Sequence, residues 1–187
     1  MKLAISTGHW PESPGHAGED VEGRWSEYAL LSPITGFLIR ELHRLGHQAW
    51  AVPSGALAEK CTWVNQRSFD LAVELHGNAD PDPDRAGDPE AMGCEVIHHP
   101  EKQADRDFAA NIAALVSAKI GEKNRGAKPG WYRQDPASGI MLAWTEIRST
   151  RAFLIEVCFI DTPVGRWKLR CAAAMIGEAI AESLVTV

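Results

Sequence analysis

The sequence predicts an α/β protein: a single three-layer domain with a mostly parallel twisted sheet and helices on both faces. Three observations lead there. Short apolar runs alternate with longer segments of helical periodicity along the chain, an order that builds parallel strands through crossover helices. Segment 153–160, FLIEVCFI, is the most apolar of the strand candidates, as expected of a strand covered on both faces. The 187 residues are 45% hydrophobic, enough for one sizeable core, and no repeat, low-complexity tract or linker marks a second domain.

Each element follows from local pattern. Lys2–Thr7 reads as the first strand, and a Gly/Pro-rich loop follows to about residue 24. Leu31, Ile34, Leu38, Leu42 and Leu45 recur at steps of three and four, and Gly46 stands where a helix stops. Pro33 falls inside this helix, where a kink or an early 3-10 turn is expected. A strand is predicted over 48–52, a short helix over 56–67 and a strand over 71–76. The Asp/Pro/Gly-crowded stretch 77–91 reads as a loop. A strand over 94–98 and a helix over 101–120 follow, then a loop with Gly, Lys and Arg running through 131–138. The strand 153–160 precedes one closing helix, 163–184, with Pro163 in its first turn. In such a sheet ligands sit beyond the C-terminal strand ends.

Composition excludes several functions. Net charge is −6 with no dense Lys/Arg cluster, so nucleic acid is not an expected partner. No apolar run approaches the ~20 residues of a membrane helix. The start, MKLAIST, turns polar after five residues, so no signal peptide is predicted and synthesis is expected in the cytoplasm. Cys61, Cys94, Cys158 and Cys171 are far apart and form no CxxC pair; free buried thiols are expected. There is no G-x-S-x-G elbow and no H-E-x-x-H, and the stretch 121–128 lacks the Lys-Ser/Thr of a P-loop.

Four polar residues sit where a plain core would not place them. Glu27 shares a helix face with Leu31, Ile34 and Leu38. His76 ends a strand, His9 directly follows one, and Glu156 is the single charge in FLIEVCFI. A carboxylate in so apolar a strand is costly unless paired, hydrogen-bonded or near a metal. On a parallel sheet the four converge on one rim. Two histidines and a carboxylate form a zinc set used in hydrolases, with the fourth position left to water, and a further carboxylate serves proton transfer. Taken singly, each has a plainer reading. A strand-end histidine is usually just hydrogen-bonded, Glu27 suits a helix N-terminus by its charge, and Glu156 could pair with Arg148 or Arg151.

The order of these motifs resembles a known family. Gly8-His9 after the first strand, Glu27 opening a helix, His76-Gly77-Asn78-Ala79 closing a strand and Glu156-Val157-Cys158-Phe159-Ile160 on an apolar strand are similar to the zinc-dependent N-acetylmuramoyl-L-alanine amidases. Gly93-Cys94-Glu95-Val96 and Arg125-Gly126 also fall where that family has a G-x-E-V strand and an R-G loop. The resemblance spans nearly the whole chain. It implies a phosphorylase/hydrolase-like α/β fold, Zn2+ held by His9, Glu27 and His76, Glu156 as the catalytic carboxylate, and peptidoglycan as substrate. The bond cut would join the lactyl group of N-acetylmuramic acid to L-alanine. Trp10-Pro11 replaces the family's second Gly after the first His, and Cys158 replaces a Gly before the Phe; neither changes a ligand type.

Alternatives stay open at this level. Pro14-Gly15-His16-Ala17-Gly18 mimics the family's Gly-His-Gly run, so His16 rivals His9 as first ligand, although His9 has the more rigid mount. His43, His47, His98 and His99 are expected on solvated helix or strand ends. Lys128, Trp131, Trp144 and Arg148 are candidate pocket-lining residues. A zinc carboxypeptidase-like enzyme would use H-x-x-E, which fits His9–Glu12 and recurs at 16–19 and 98–101. A wall-binding module could keep the fold without catalysis, and Cys158 could serve a thiol hydrolase. The missing export signal suggests a phage or prophage lysin that reaches the wall after the membrane is breached.

Overall fold

The computed structural model describes residues 1–80, 92–131, 136–148 and 150–186. In chain order these form β1 (Lys2–Thr7), the hairpin β2 (Ala17–Asp20) and β3 (Gly23–Ser26), α1 (Glu27–Arg44), β4 (Gln48–Ala51) and α2 (Leu57–Asn65). β5 (Leu71–Asn78), β6 (Cys94–His98), α3 (Gln103–Ile120), β7 (Asn124–Pro129), β8 (Arg151–Phe159), α4 (Pro163–Cys171) and α5 (Ala173–Thr186) follow. Six strands make the main sheet in the order β4-β1-β5-β8-β6-β7. Every pairing is parallel except β6 on β8, which is antiparallel. The mostly parallel sheet is as expected, and the edge pair β6–β7 runs against the other four strands.

Side-chain alternation gives the two faces different work. Leu3, Ile5, Val73, Leu75, Phe153 and Ile155 join Leu31, Ile34, Leu38 and Leu42 of α1, Ile112 and Val116 of α3, and Ile176 and Ile180 of α5 in the larger core. Ala4, Ala72, Ala152 and Leu154 point the other way, onto Val64 of α2 and onto Trp144 and Ile147. Toward the C-terminal strand ends this second face turns polar: Ser6, Glu74, His76, Glu156 and Glu95 follow its residues in register.

Three expectations change. α1 continues as α-helix through Pro33, so of the two forms expected there the 3-10 turn is the one that does not occur; the proline costs the bond to the Ala29 carbonyl, and the buried face of α1 outweighs that loss. The closing helix is two helices, parted at Ala172 (φ −111°). The break lets α4 bury Arg166 and Leu169 while α5 buries a different stripe from Ala173 to Leu184. Two segments read as loop are strands, the β2–β3 hairpin and β7. Both are short, polar and at an edge or off the main sheet, so neither carries the apolar alternation that marks a strand. The predicted loops 77–91 and 131–138 lie partly outside the described residues, which show β5 reaching Asn78 and a 3-10 turn at Pro136–Ser138.

The hairpin matters because it delivers α1 to the rim. Arg166 Nε donates to Asp20 Oδ2 at 2.9 Å and its Nη1 to the Ile160 carbonyl at 2.9 Å, with the guanidinium 4.7 Å above the Trp25 ring. Clamped this way, β3 ends in Ser26, whose hydroxyl caps α1 by accepting from Ala29 N at 3.2 Å. Glu27 is the first residue of that helix.

Candidate functional site

β1 and β5 end side by side. Thr7 pairs with Leu75, so His9 lies two residues beyond one strand while His76 lies in the other. His9 takes φ +61°, a left-handed turn histidine tolerates better than most residues. Glu27 reaches both rings from α1. Its Oε2 lies 3.1 Å from His9 Nε2 and its Oε1 lies 3.0 Å from His76 Nδ1. The rings stand edge to face, with centroids 5.1 Å apart.

Backbone N–H groups complete the grip on Glu27, from Gly77 at 3.1 Å and His16 at 3.4 Å. The Glu27 N–H in turn donates to the His16 carbonyl at 2.7 Å. The rivalry of the two Gly-His pairs thus has a structural outcome. The ring of His9 enters the cluster; His16 is exposed and serves it through its backbone.

The glycines of both pairs are needed for close approach. A Cβ on Gly8 would stand 2.6 Å from the His76 ring. Gly15 has φ +75°, and a Cβ there would stand 2.5 Å from Glu27 Oε2 and 2.6 Å from the His9 ring. We expect Gly15→Ala to destabilise the protein by about 1–3 kcal/mol, measured by urea unfolding of the metal-free protein. An unchanged midpoint would contradict this packing.

Glu156 sits opposite His76 on β8, and Glu95 opposite Glu156 on β6. Glu95 is saturated: Oε1 accepts from Asn78 Nδ2 at 3.1 Å and Oε2 from Arg125 Nε at 2.8 Å. Glu156 Oε2 is buried and lacks a hydrogen-bond partner. Of two neighbouring carboxylates one is therefore held by partners on both oxygens and the other has a buried oxygen with none. Burial lifts the Glu156 carboxyl to about 7, and the charges of Glu27, Glu95 and Glu74 add to the lift against the pull of His76. The parts played by Asn78 and Arg125 escape a reading of local pattern; only their place in the H-x-N and R-G strings marked them.

Electrostatics also set the other groups. Burial works against the charge on Glu27, but the hydrogen bonds of His76 and His9 overcome it and hold the carboxyl well below the usual range. Burial likewise opposes charge on His76, yet Glu27 and Glu74 raise its pKa well above the ordinary value. For the metal-free protein the signs are clear. The stability that protonated His76 contributes is full below about 6.5 and is lost as pH rises through the folded value. Glu156 has the same sign, since between 4.5 and about 7 the folded protein keeps a proton that the unfolded chain gives up. Glu27 and Glu74, held low, act oppositely and cost stability as pH falls. We expect Tm in chelator to drop from pH 7 to 9, and zinc to reverse the drop by replacing the His76 proton; a Tm in chelator that rises would refute this.

His9, Glu27 and His76 each present one ligand atom, and the three atoms lie within 4.8 Å of one another. Tetrahedral zinc with bonds of about 2.0–2.1 Å sets its ligand atoms roughly 3.3 Å apart; each imidazole lies about that far from one Glu27 oxygen, His9 from Oε2 and His76 from Oε1, and one oxygen serving both would draw the set in from its 4.8 Å span. Two nitrogens and one carboxylate oxygen fit zinc chemistry in donor type, with the buried Glu156 Oε2 close by and without a hydrogen-bond partner. A cavity of about 290 Å³ opens beside them, lined by Trp10, Leu57, Leu142, Trp144, His9 and His76 among others.

The other residues singled out in the sequence are placed as follows. Trp144 lines the cavity but is itself buried, its indole N–H donating to the Phe153 carbonyl at 3.0 Å. Arg148 is exposed beside Asn65, Lys128 lies on β7, and Trp131 bridges Met141. His98 is buried, 4% exposed, because β6 is an interior strand between β8 and β7. Arg151 bonds Asp105 at 2.7 Å, so it is no partner for Glu156. Glu12, Glu19 and Glu101 of the three H-x-x-E strings are exposed and stand apart from the cluster. Cys158 is buried, and burial pushes its thiol far up, which removes the thiolate a nucleophile needs. The four cysteines are free as expected, but only Cys94 and Cys158 are buried; Cys61 is half-buried and Cys171, at the end of α4, is exposed. No described helix is long and apolar enough to cross a membrane.

Comparison with known proteins places these features in context. The family model described as N-acetylmuramoyl-L-alanine amidase matches residues 3–186. Cwp6 from Clostridium difficile superposes with a TM-score of 0.81 at 22% identity; the match covers 98% of this chain but 28% of that one. The catalytic domain of the CD27L endolysin targeting Clostridia difficile gives 0.73 at 22% identity, over 99% of this chain and 97% of that one. The amidase AmiC2 of Nostoc punctiforme gives 0.74 at 19%, over 99% and 95%. At these identities the structures show a shared fold. No curated protein matches the sequence.

Proposed function

The chain belongs to the N-acetylmuramoyl-L-alanine amidase family, and from that premise we propose that it is a single catalytic domain hydrolysing the amide between N-acetylmuramic acid and the L-alanine of peptidoglycan. The observation that carries the reading is the meeting of His9, Glu27 and His76 in one cluster, with Glu156 in register beside His76. These three residues would hold Zn2+, which when bound supplies Lewis acidity to the amide carbonyl and acidifies water.

The chain's own groups do the remaining work. Glu27, 2% exposed and charged well below neutrality, supplies a fixed negative charge that favours a cation between the imidazoles. Glu156 handles the proton. A carboxyl near 7 is about half ionised at neutral pH, so it can take a proton from the attacking water and return it to the leaving amine of L-alanine. A neighbouring cation lowers that value and enlarges the ionised share. The apolar wall of Trp10, Leu57 and Leu142 limits water at the rim.

The test is digestion of purified cell walls followed by mass spectrometry of the products. Free stem peptides with new N-terminal L-alanine support the reading. Release of free C-terminal amino acids would point to the carboxypeptidase-like alternative, and intact walls that retain the protein would point to a binding module.

A further inference from the structure

The rim also holds a buried charged pair to which the proposed chemistry gives no direct role. Lys60 of α2 and Glu74 of β5 are each 3% exposed, and their charges lie 3.1 Å apart. Removing two charges from water costs energy that only extensive hydrogen bonding offsets. The bonding is extensive, and it reaches both candidate histidines. Lys60 Nζ donates to the Thr7 carbonyl at 2.6 Å, the His9 carbonyl at 2.9 Å and Glu74 Oε1 at 3.1 Å, so all three ammonium hydrogens are used. Glu74 Oε1 also accepts from Ser6 Oγ at 2.9 Å. Its other oxygen lies 3.2 Å from His76 Nε2.

The two nitrogens of His76 therefore face two carboxylates: Nδ1 faces Glu27 and Nε2 faces Glu74. We propose that Glu74, locked by Lys60 and Ser6, is a positioning residue of the metal centre. It accepts the Nε2–H of His76 and thereby leaves Nδ1 as the donor nitrogen. Lys60 acts on the other ligand, because it holds both carbonyls of the turn that carries His9 in its left-handed conformation. One buried pair thus orients two imidazoles, one just beyond β1 and one on β5, as a carboxylate behind a ligating histidine fixes its tautomer and strengthens its basicity. The inference rests on the zinc reading of His9, Glu27 and His76. It goes beyond that reading by assigning Glu74 and Lys60.

The experiment measures zinc affinity by chelator competition, and the visible spectrum with Co2+, for the wild type, Glu74→Gln and Lys60→Met/Glu74→Leu. The double variant removes both charges at similar volume, so it keeps the question open to test where Glu74→Gln alone leaves an unpaired lysine and fails to fold. Circular dichroism and melting of the metal-free proteins report folding separately. The expected result is a roughly 10- to 100-fold loss of zinc affinity with an altered Co2+ spectrum in variants that remain folded. Affinity and spectrum equal to the wild type, with or without a lower Tm, would show a purely structural pair and overturn the inference alone. A wild type that binds no zinc would overturn the metal centre and the inference together.

Discussion

Glu156→Gln is expected to slow amide hydrolysis by roughly 10²- to 10⁴-fold while zinc stays bound at the wild-type ratio. Glutamine keeps the volume and polarity of the side chain but can neither accept nor return a proton. The substitution also removes a buried carboxyl that has no hydrogen-bond partner on Oε2 and whose pKa is lifted to about 7. The folded metal-free protein should therefore be as stable as the wild type or more so above pH 7. Rates of stem-peptide release from purified walls, with metal content by elemental analysis, decide the matter. Hydrolysis within tenfold of the wild type would remove Glu156 from the reaction.

His76→Ala is expected to act one step earlier, on the metal. It takes away one nitrogen of three donors and leaves Glu27 with a single imidazole partner. Bound zinc should fall to near zero after dialysis. Loss of the several kcal/mol a metal contributes to charge stabilisation corresponds to a drop of roughly 10³-fold or more in rate. Elemental analysis and the wall assay read the two effects separately. Near-stoichiometric zinc in the variant would show that the cation, if any, sits elsewhere. The contrast between the two variants, zinc kept in one and lost in the other, separates the proton-handling group from the proposed ligands.

Much of this arrangement was legible in the sequence, for reasons that can be located. The helix at 31–45 showed itself because each buried leucine or isoleucine repeats the period of the face that packs on the sheet. The strand at 153–160 showed itself because both its faces are covered. Glu27, His76 and Glu156 stood out because charge or imidazole in an apolar pattern demands a partner. The limits have equally local causes. β7 and the β2–β3 hairpin bury little apolar surface, so their pattern is silent. The Ala172 break in the closing helix has no Gly or Pro to announce it, and it exists because α4 and α5 pack on different neighbours. Glu74 reads in sequence as one more polar residue in a strand; its meaning comes from Lys60, fourteen residues earlier on another element.

The linear sequence determined the class of fold, the run of strands and helices, and the handful of polar side chains that could not be idle. Those follow from burial and periodicity, which are properties of neighbours along the chain. Strand direction at β6, the choice of the His9 ring over that of His16, and the pairing of Glu95 with Arg125 and Asn78 were decided only in three dimensions. So was the lock that Lys60 and Glu74 place behind the histidines. Each depends on distances between residues brought together by the sheet, and hydrogen bonds and charges act over a few ångströms of space, whatever the separation along the backbone.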